Sequence, residues 1–151
     1  MKALATNRRA RYDYKILEEI EAGIVLSGQE VKSVKKGHIS LKGSFVTLKG
    51  AEVFLTNAHI SPYEFSGEVK EYNPERPRKL LLHKKEIARI IGKKKEQGLT
   101  LIPLKIYTKH RKIKVLIGIA RGKKKFDKRE EMRKKEAERK IQRAMRKKFE
   151  Y

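Results

Sequence analysis

Residues 12–26 read YDYKILEEIEAGIVL, and their pattern establishes the fold class. Apolar side chains occupy the even positions apart from Glu18: Tyr12, Tyr14, Ile16, Ile20, Ala22, Ile24 and Leu26. A period of two is typical of a β-strand with one buried face. Because the run is longer than an ordinary strand, we expect a bend near Glu18 or Gly23. The stretch therefore predicts a long, bent strand or two joined strands.

Strand patterns recur downstream in four segments: 45–48, 53–55, 99–107 and 113–119. The first two flank Lys49-Gly50, which predicts a hairpin. The last two are joined by residues 109–112, which predict a second hairpin turn. Pro103 cannot donate to a strand ladder, so it predicts an edge position or a bulge.

Two short helices are predicted between the strands. The capping-box spacing Ser27-Gly28-Gln29-Glu30 opens the first, and Gly37 is placed to end it in a left-handed turn. Apolar side chains spaced i, i+3, i+4 within residues 87–91 predict the second, which Gly92 or Gly98 closes.

These elements predict a mainly β fold over residues 1–120. Five or six antiparallel strands with two to three short helices fit the five-stranded oligonucleotide-binding (OB) barrel in number and size. Residues 1–11 are polar and basic and are expected to form a loose arm. Residues 61–79 hold three of the four prolines and are expected to form a long surface loop.

The chain changes character at residue 121. Residues 121–151 carry 15 basic and 6 acidic side chains, against 25 and 12 in residues 1–120. Ile141, Met145 and Phe149 recur at i, i+4 and i+8, which predicts an amphipathic helix. Because so much positive charge repels itself, we expect this C-terminal tail to be disordered alone and helical when bound to RNA.

The net charge indicates a polyanionic partner. The chain has 40 Lys and Arg against 18 Asp and Glu, a formal net charge of +22. The excess is spread along the whole chain, whereas a membrane anchor would concentrate it beside an apolar face or lipidation site. Nucleic acid is therefore favoured over a membrane as the partner.

Basic residues form five clusters: Arg8-Arg9-Ala10-Arg11, Arg76-Pro77-Arg78-Lys79, Lys93-Lys94-Lys95, residues 109–114 and the tail. A solvated surface is the alternative for any single cluster, but five together favour phosphate binding. Aromatic rings at five positions could stack on unpaired bases: Tyr12, Tyr14, Tyr63, Phe65 and Phe126. For Tyr12 and Tyr14, the alternation favours a place in the core instead.

Several classes of function lack their signatures. There is no cysteine, and the four histidines show no metal-ligand spacing. Gly118 to Lys124 is not a phosphate loop, because three residues rather than four separate its glycines. No secretory signal or membrane-spanning run is visible. We therefore expect a soluble, cytoplasmic protein that is not an enzyme and needs no metal or cofactor.

Six motifs closely resemble one family, the SsrA-binding proteins, also called SmpB. They are Asn7-Arg8-Arg9-Ala10, Glu21-Ala22-Gly23-Ile24, Gly28-x-Glu30-Val31-Lys32-Ser33, Arg78-Lys79-Leu80-Leu81-Leu82-His83, Gly98-x-Thr100-x-x-Pro103-Leu104 and Gly122-Lys123-Lys124-x-x-Asp127-Lys128-Arg129. They run in the family's order, and the resemblance covers about residues 7–145.

The resemblance implies an OB barrel that binds tmRNA, the RNA that is part transfer RNA and part messenger. In this family a monomeric protein binds the tRNA-like domain. It accompanies the charged tmRNA and elongation factor Tu into the vacant A site of a stalled ribosome. The tail lies at the small-subunit decoding centre and in the empty messenger channel, and the nascent chain receives a degradation tag.

The resemblance also implies roles for individual residues. The positions expected on the tmRNA face are Asn7, Glu21, Lys79, Leu81 and Lys114. The positions expected to act on the ribosome are Gly122, Lys123, Lys124, Phe126, Asp127, Lys128 and Arg129. The family often has His or Tyr where this chain has Phe126, which keeps a ring face for stacking but loses a hydrogen-bond donor.

Two alternatives remain open on sequence grounds. A ribosomal or chaperone-type OB protein with a basic tail would bind many RNAs without preference. An RNA-processing enzyme would cleave or modify RNA, and the missing catalytic constellation argues against it.

Overall fold

The computed structural model describes residues 2–64 and 71–149. Its strands are β1 (Ala3–Thr6), β2 (Tyr14–Ile24), β3 (Ile39–Ser40), β4 (Phe45–Lys49), β5 (Glu52–Thr56), β6 (His59–Ile60), β7 (Arg78–Leu81), β8 (Thr100–Lys109) and β9 (Lys112–Gly122). Its helices are α1 (Ala10–Asp13), α2 (Gly28–Lys35), α3 (Lys84–Gln97) and α4 (Lys125–Phe149).

Antiparallel pairing organises the described strands. One sheet has the order β1-β8-β9-β2-β7-β5-β4, and β3 pairs separately with β6. The edge strand β4 also lies against β8, so the sheet curls toward a barrel. This arrangement confirms the prediction of a mainly β, OB-type antiparallel fold with a few helices.

The long strand predicted from residues 12–26 is β2. Its pairing with β9 shifts register between Ile16 and Glu18, where a bend was predicted. Tyr12 lies in α1 rather than on the strand, and both Tyr12 and Tyr14 are only half-buried. The short α1 reverses the chain before β2 begins, and periodicity alone could not reveal that turn.

The N-terminal residues do not form a loose arm. Residues 3–6 form β1, which pairs with β8. The prediction was wrong because pairing with β8 stabilises β1. Since β8 is far away in the sequence, this pairing leaves no pattern in the N-terminal residues themselves.

Local signals predicted the helix ends well. Ser27 and Glu30 form the expected reciprocal capping box, and Gly37 has φ 82°. Gly98, rather than Gly92, ends α3 with φ 59°. A bulge follows Pro103, which is one of the two outcomes that this residue allowed.

The main core lies inside the curled sheet. Its fully or nearly fully buried side chains come from most of the strands and from α2 and α3, and include Ile20, Ala22, Val34, Val53, Leu55, Leu80, Ile90, Val115 and Ile117. Ile20 and Ala22 of β2 lie in this core, at even positions as the periodicity predicted. Tyr14 and Ile16, before the register shift, pack instead in a second cluster with Ile102, Leu104 and Ala120.

A buried ion pair joins α2 to β7. Glu30 and Arg78 have fully buried side chains, and Arg78 donates twice to Glu30 Oε2, at 2.9 and 2.6 Å. Arg78 also donates to the carbonyl oxygen of Ala58 at 2.7 Å. Arg76 and the Tyr72 hydroxyl complete the surroundings of the carboxylate. The prediction that Arg78 belongs to a phosphate-binding cluster is therefore wrong, because its guanidinium is used inside the protein.

The pKa of the Glu30 carboxyl reflects this environment. Burial alone would raise it, but the Ser27 backbone N–H, Arg76 and Arg78 outweigh burial and hold the pKa below its ordinary value of 4.5. A carboxylate whose pKa is lowered by folding stabilises the folded state above that ordinary value. The contribution is lost as the pH falls through the folded-state pKa.

The tail is one helix, α4, of 25 residues. Ile141 and Met145 of the predicted apolar stripe are each 59% exposed, so they do not pack against the rest of the protein. The helix is the structure that we predicted for the bound tail, and disorder of the free tail stays a prediction. Its Lys, Arg, Glu, Ala and Met residues are strong helix formers. Glu131 and Lys135 also stand at the favourable i, i+4 spacing.

The substitution Glu30→Gln should lower the free energy of unfolding by about 3 kcal/mol, because it leaves Arg78 buried without its counter-charge. Glutamine keeps the capping-box acceptor, so the effect reports the charge. Urea denaturation at neutral pH measures it. Between pH 6 and pH 4 the wild type should also lose more stability than the variant.

The matched control is Glu52→Gln. Glu52 and Lys79 form an exposed pair at 3.7 Å, and its loss should cost less than about 1 kcal/mol. Equal effects of the two substitutions would show that the buried pair has no special role.

Candidate RNA-binding surface

A groove of about 700 Å³ lies where β2 meets β7 and β9, beside α2 and the start of α3. Gly23 of β2 pairs with Leu81 on one side and with Lys114 on the other. Directly paired residues share one face of a sheet, and so do residues two apart on a strand. Glu21 therefore joins these three on the face opposite the core.

Glu21 is held as an acceptor at the edge of this groove. The Tyr107 hydroxyl donates to its carboxylate, and Lys109 Nζ lies 3.5 Å from Oε2. The hydrogen bond from Tyr107, followed by the charges of Lys109 and Lys114, outweighs partial burial and lowers the pKa of Glu21. The side chain remains 32% exposed. The groove thus presents an ionised, oriented acceptor to a ligand.

Several lining residues of the groove are apolar, among them Ile24, Leu26 and Leu81. Leu81 is 53% exposed, and Val25, beside the groove, is 46% exposed. Val25 donates its backbone N–H to the Lys79 carbonyl oxygen at 2.9 Å, so it extends the same face. A Cβ at Gly23 would lie 3.2 Å from Leu81 Cβ, which is closer than ordinary contacts. Glycine at this position therefore lets the Leu81 side chain lie over β2.

Cations line one wall. Arg111, Lys112 and Lys114 all face the groove. The turn between β8 and β9 has two residues in the left-handed region, His110 at φ 50° and Arg111 at φ 65°. A two-residue hairpin turn often has both of its central residues in the left-handed region, because the twist of that turn then matches the twist of the two strands that it joins. This turn carries the cations to the mouth of the groove.

The structure brings together only part of the set predicted for RNA. Glu21, Leu81 and Lys114 line the groove, and Lys79 lies on the same face two residues before Leu81. Val25 and Tyr107 were not predicted, because a regular alternation marks exposed and buried positions without showing which exposed ones converge. The roles of all these residues in RNA binding stay predictions.

Asn7 lies in a different cleft, between the N-terminal segment and residues 39–45. Its amide donates to the Pro103 carbonyl oxygen at 3.0 Å, and its backbone N–H donates to Leu104 at 2.8 Å. The side chain therefore fastens the end of β1 to β8. Asn7 therefore lies outside the groove that Glu21 lines, and its role on the tmRNA face stays a prediction.

The tail residues divide into two groups. Lys124, Phe126 and Arg129 are exposed, with Phe126 at 68%. Asp127 accepts from the Lys124 backbone N–H at 3.4 Å, near the start of α4. Gly122 ends β9 opposite Tyr14.

The second group points inward. Lys123 is only 10% exposed and donates to the Arg11 carbonyl oxygen at 2.8 Å. Lys128 is 27% exposed and lies 3.1 Å from Asp13 Oδ1. Phe65, predicted as a stacking residue, lies outside the described residues. Tyr63 is described, and its ring lies beside Lys32.

Within residues 2–64 and 71–149, no three His, Asp or Glu side chains converge as metal ligands would. Over the same ranges, none of the helices combines the length and apolarity that crossing a membrane requires.

Comparison with known proteins gives a consistent result. The family model described as "SmpB protein" matches residues 4–147. An SsrA-binding protein of Chloroflexus aggregans is 56% identical over 97% of this chain and 92% of its own. One from Enterococcus faecalis is 51% identical over 95% of this chain and 93% of its own.

Among solved structures, a chain from the work described as "tmRNA-SmpB: a journey to the center of the bacterial ribosome" is 53% identical to this one. The match has a TM-score of 0.64 and covers 80% of this chain and 84% of that one. This chain belongs to the SmpB family of SsrA-binding proteins.

Proposed function

We propose that this protein binds the tRNA-like domain of tmRNA through the groove and escorts it to the A site of stalled ribosomes in trans-translation. One observation carries the proposal. Glu21, Leu81 and Lys114 are far apart in sequence, and each was predicted to contact tmRNA. The fold brings all three to one exposed groove.

The groove has the chemistry that folded RNA requires. Arg111, Lys112 and Lys114 can neutralise phosphates and release counterions. The exposed faces of Leu81 and Val25 suit the flat side of an unstacked base. Glu21 adds what a purely basic surface lacks, because its carboxylate can accept from a 2′-hydroxyl or from the donor edge of a base.

The tail has a separate task on the ribosome. Lys124, Phe126 and Arg129 are exposed at the start of α4, where they can reach the decoding centre of the small subunit. The rest of α4 is a cationic helix suited to an empty messenger channel lined by phosphates. Messenger RNA in the channel would occupy the same surface, so the tail can discriminate an empty channel from a filled one.

In this mechanism the protein makes and breaks no covalent bond. Recognition is by shape and charge, and the tmRNA and elongation factor Tu supply the rest of the complex. The site of action is the cytoplasm, where the ribosomes are.

Glu21→Ala should weaken binding of the tRNA-like domain about tenfold, a loss of about 1.4 kcal/mol. The substitution makes the protein more positive, so a purely electrostatic interaction would become stronger. Weaker binding would therefore identify a specific contact. A binding titration at about 0.15 M salt measures the change in affinity, since exposed charges are then screened as they are at physiological ionic strength.

Glu75→Ala is the control for charge. Glu75 pairs with His59 at 2.6 Å, outside the groove, and its removal changes the net charge by the same amount. It should leave affinity unchanged or slightly higher. If Glu21→Ala behaves like Glu75→Ala, recognition is electrostatic only, and the chain is a general RNA-binding protein.

Removal of the tail after Lys124 should leave affinity for the tRNA-like domain within about tenfold of the full chain, because the groove stays complete while diffuse phosphate attraction falls. It should abolish tagging in a reconstituted translation reaction on a messenger without a stop codon. The cut spares residues 121–122, which complete β9.

A chain with residues 125–151 in scrambled order has the same composition and net charge, and should also fail to tag. If truncation removes RNA affinity altogether, the division of labour between groove and tail is wrong. Full tagging by the scrambled chain would show that charge alone is sufficient.

A further inference from the structure

The two carboxylate oxygens of Glu21 have different surroundings. The Tyr107 hydroxyl donates to Oε2, and Lys109 Nζ lies 3.5 Å from the same atom. Within residues 2–64 and 71–149, no group of the protein donates to the other oxygen, Oε1. The side chain is 32% exposed and lines the groove. One oxygen is therefore used inside the protein, and the other is available to a ligand.

The side chain of Tyr107 is suited to maintain this difference. It extends from β8 to Glu21 on β2, across the intervening strand β9. Its residue is 3% exposed, and Lys105 Nζ lies 5.5 Å from the centre of the ring. A tyrosine side chain has few rotatable bonds, so a buried one loses little freedom when its hydroxyl is held in one place. Tyr107 thus presents a fixed donor to Oε2.

The protonation states of the pair agree with these roles. The hydrogen bond from Tyr107 is the largest influence on the Glu21 carboxyl, and with the charges of Lys109 and Lys114 it lowers the pKa. Burial and the neighbouring carboxylates raise the pKa of the Tyr107 phenol above its ordinary value of 10. At neutral pH the phenol therefore keeps its proton, and the carboxylate is ionised.

The contacts at Oε2 restrict what Glu21 can recognise. A carboxylate oxygen accepts at about two lone-pair sites, and Tyr107 and Lys109 approach those of Oε2. Two parallel donors, such as the adjacent N–H groups on the Watson–Crick edge of guanine, need one oxygen each. Because Oε2 has no site left for the second donor, Glu21 is suited to a contact through Oε1 alone.

We infer that Tyr107 is a positioning residue that keeps Glu21 Oε1 free for a single hydrogen-bond donor of the RNA. That donor is one O–H or N–H group, either a 2′-hydroxyl or an amino group of a base. The inference rests on the proposed function and deepens it, since it names what Glu21 recognises. Tyr107 is buried and acts through Glu21 rather than on the RNA.

Tyr107→Phe tests the positioning, because it removes the hydroxyl, keeps the ring and leaves the net charge unchanged. In the full-length chain the pKa of Glu21, followed by the NMR signal of its carboxyl carbon, should rise toward its ordinary value of 4.5. Affinity for the tRNA-like domain should fall about fivefold, because the loosened side chain must be ordered on binding. Attraction between net charges alone predicts no change.

Three further variants separate positioning from a general structural effect. In the Glu21→Ala background, Tyr107→Phe should cause no additional loss of affinity, since the side chain that it positions is absent. Glu21→Gln should bind as weakly as Glu21→Ala, because Tyr107 and Lys109 retain the amide oxygen and the NH₂ group then faces the RNA donor. Tyr14→Phe removes a half-buried hydroxyl outside the groove and should leave affinity unchanged.

Changes in the RNA identify the donor. Each unpaired nucleotide of the tRNA-like domain is replaced in turn by a version without its 2′-hydroxyl or without the amino group of its base, and each unpaired guanine also by its N1-methyl form. At one position, loss of a single donor should weaken binding to the wild type about fivefold. The same loss should have no effect on binding to Glu21→Ala. A dependence on the 2′-hydroxyl assigns the donor to the ribose, and a dependence on the amino group assigns it to the base.

The inference is overturned if Tyr107→Phe keeps either the wild-type pKa of Glu21 or the wild-type affinity. An equal loss from Tyr107→Phe with and without Glu21 would also overturn it, because the hydroxyl would then act elsewhere. Two neighbouring donors of one guanine that both depend on Glu21 would contradict a single donor, as would the absence of any donor that does. The RNA changes need no substitution at Tyr107, so they decide the matter even if the melting temperature shows that Tyr107→Phe is unfolded.

The failure of this inference differs from the failure of the proposed function. If the wild type does not bind the tRNA-like domain, the proposed function falls, while the pKa of Glu21 still shows whether Tyr107 positions the carboxylate. If the wild type binds and Tyr107→Phe binds equally well, the proposed function stands and only the role of Tyr107 falls.

Discussion

The buried pair of Glu30 and Arg78 is the constraint on which the functional surface depends. Strand β7 meets β2 over only two residue pairs, which include Gly23 with Leu81. A slip of one residue would exchange the inner and outer faces of β7. Because Arg78 is fixed at its inner end by Glu30 and Ala58, the alternation along the strand directs Lys79 and Leu81 outward. A charge pair inside the protein thus determines which side chains the outer surface presents.

The groove is rigid, and its surface combines apolar, acidic and basic side chains. Glycine at position 23 lets Leu81 cover the strand, and a tight hairpin projects Arg111 toward the same place. Tyr107 is almost completely buried and orients Glu21 from behind. An acceptor held in this way needs little ordering when a ligand binds, which favours specific over merely electrostatic association. In the proposed function, the net positive charge of the chain draws RNA in and the groove discriminates among RNAs.

The features that sequence predicted are those encoded locally. Alternation in β2, the Ser27 capping box and the two hairpins each depend on neighbours in the chain, and the structure contains them. Contacts between residues that are far apart in the sequence could not be predicted in this way. Arg78 looked like a surface cation because its partner, Glu30, is remote in sequence. Asn7 was grouped with Glu21 by family resemblance, which assigns a role without giving a location. The helix of the tail was predicted from the local spacing of Ile141, Met145 and Phe149.

The central claim is that one surface, where β2, β7 and β9 meet, recognises the tRNA-like domain. Amide chemical shifts of the full-length protein, followed while that RNA is added, test this claim most directly. The account predicts that the largest changes fall in residues 21–25, 79–83 and 111–114, and that an equal amount of plain duplex RNA leaves most of them unmoved. Changes centred on the cleft around Asn7, or identical changes with both RNAs, would contradict it.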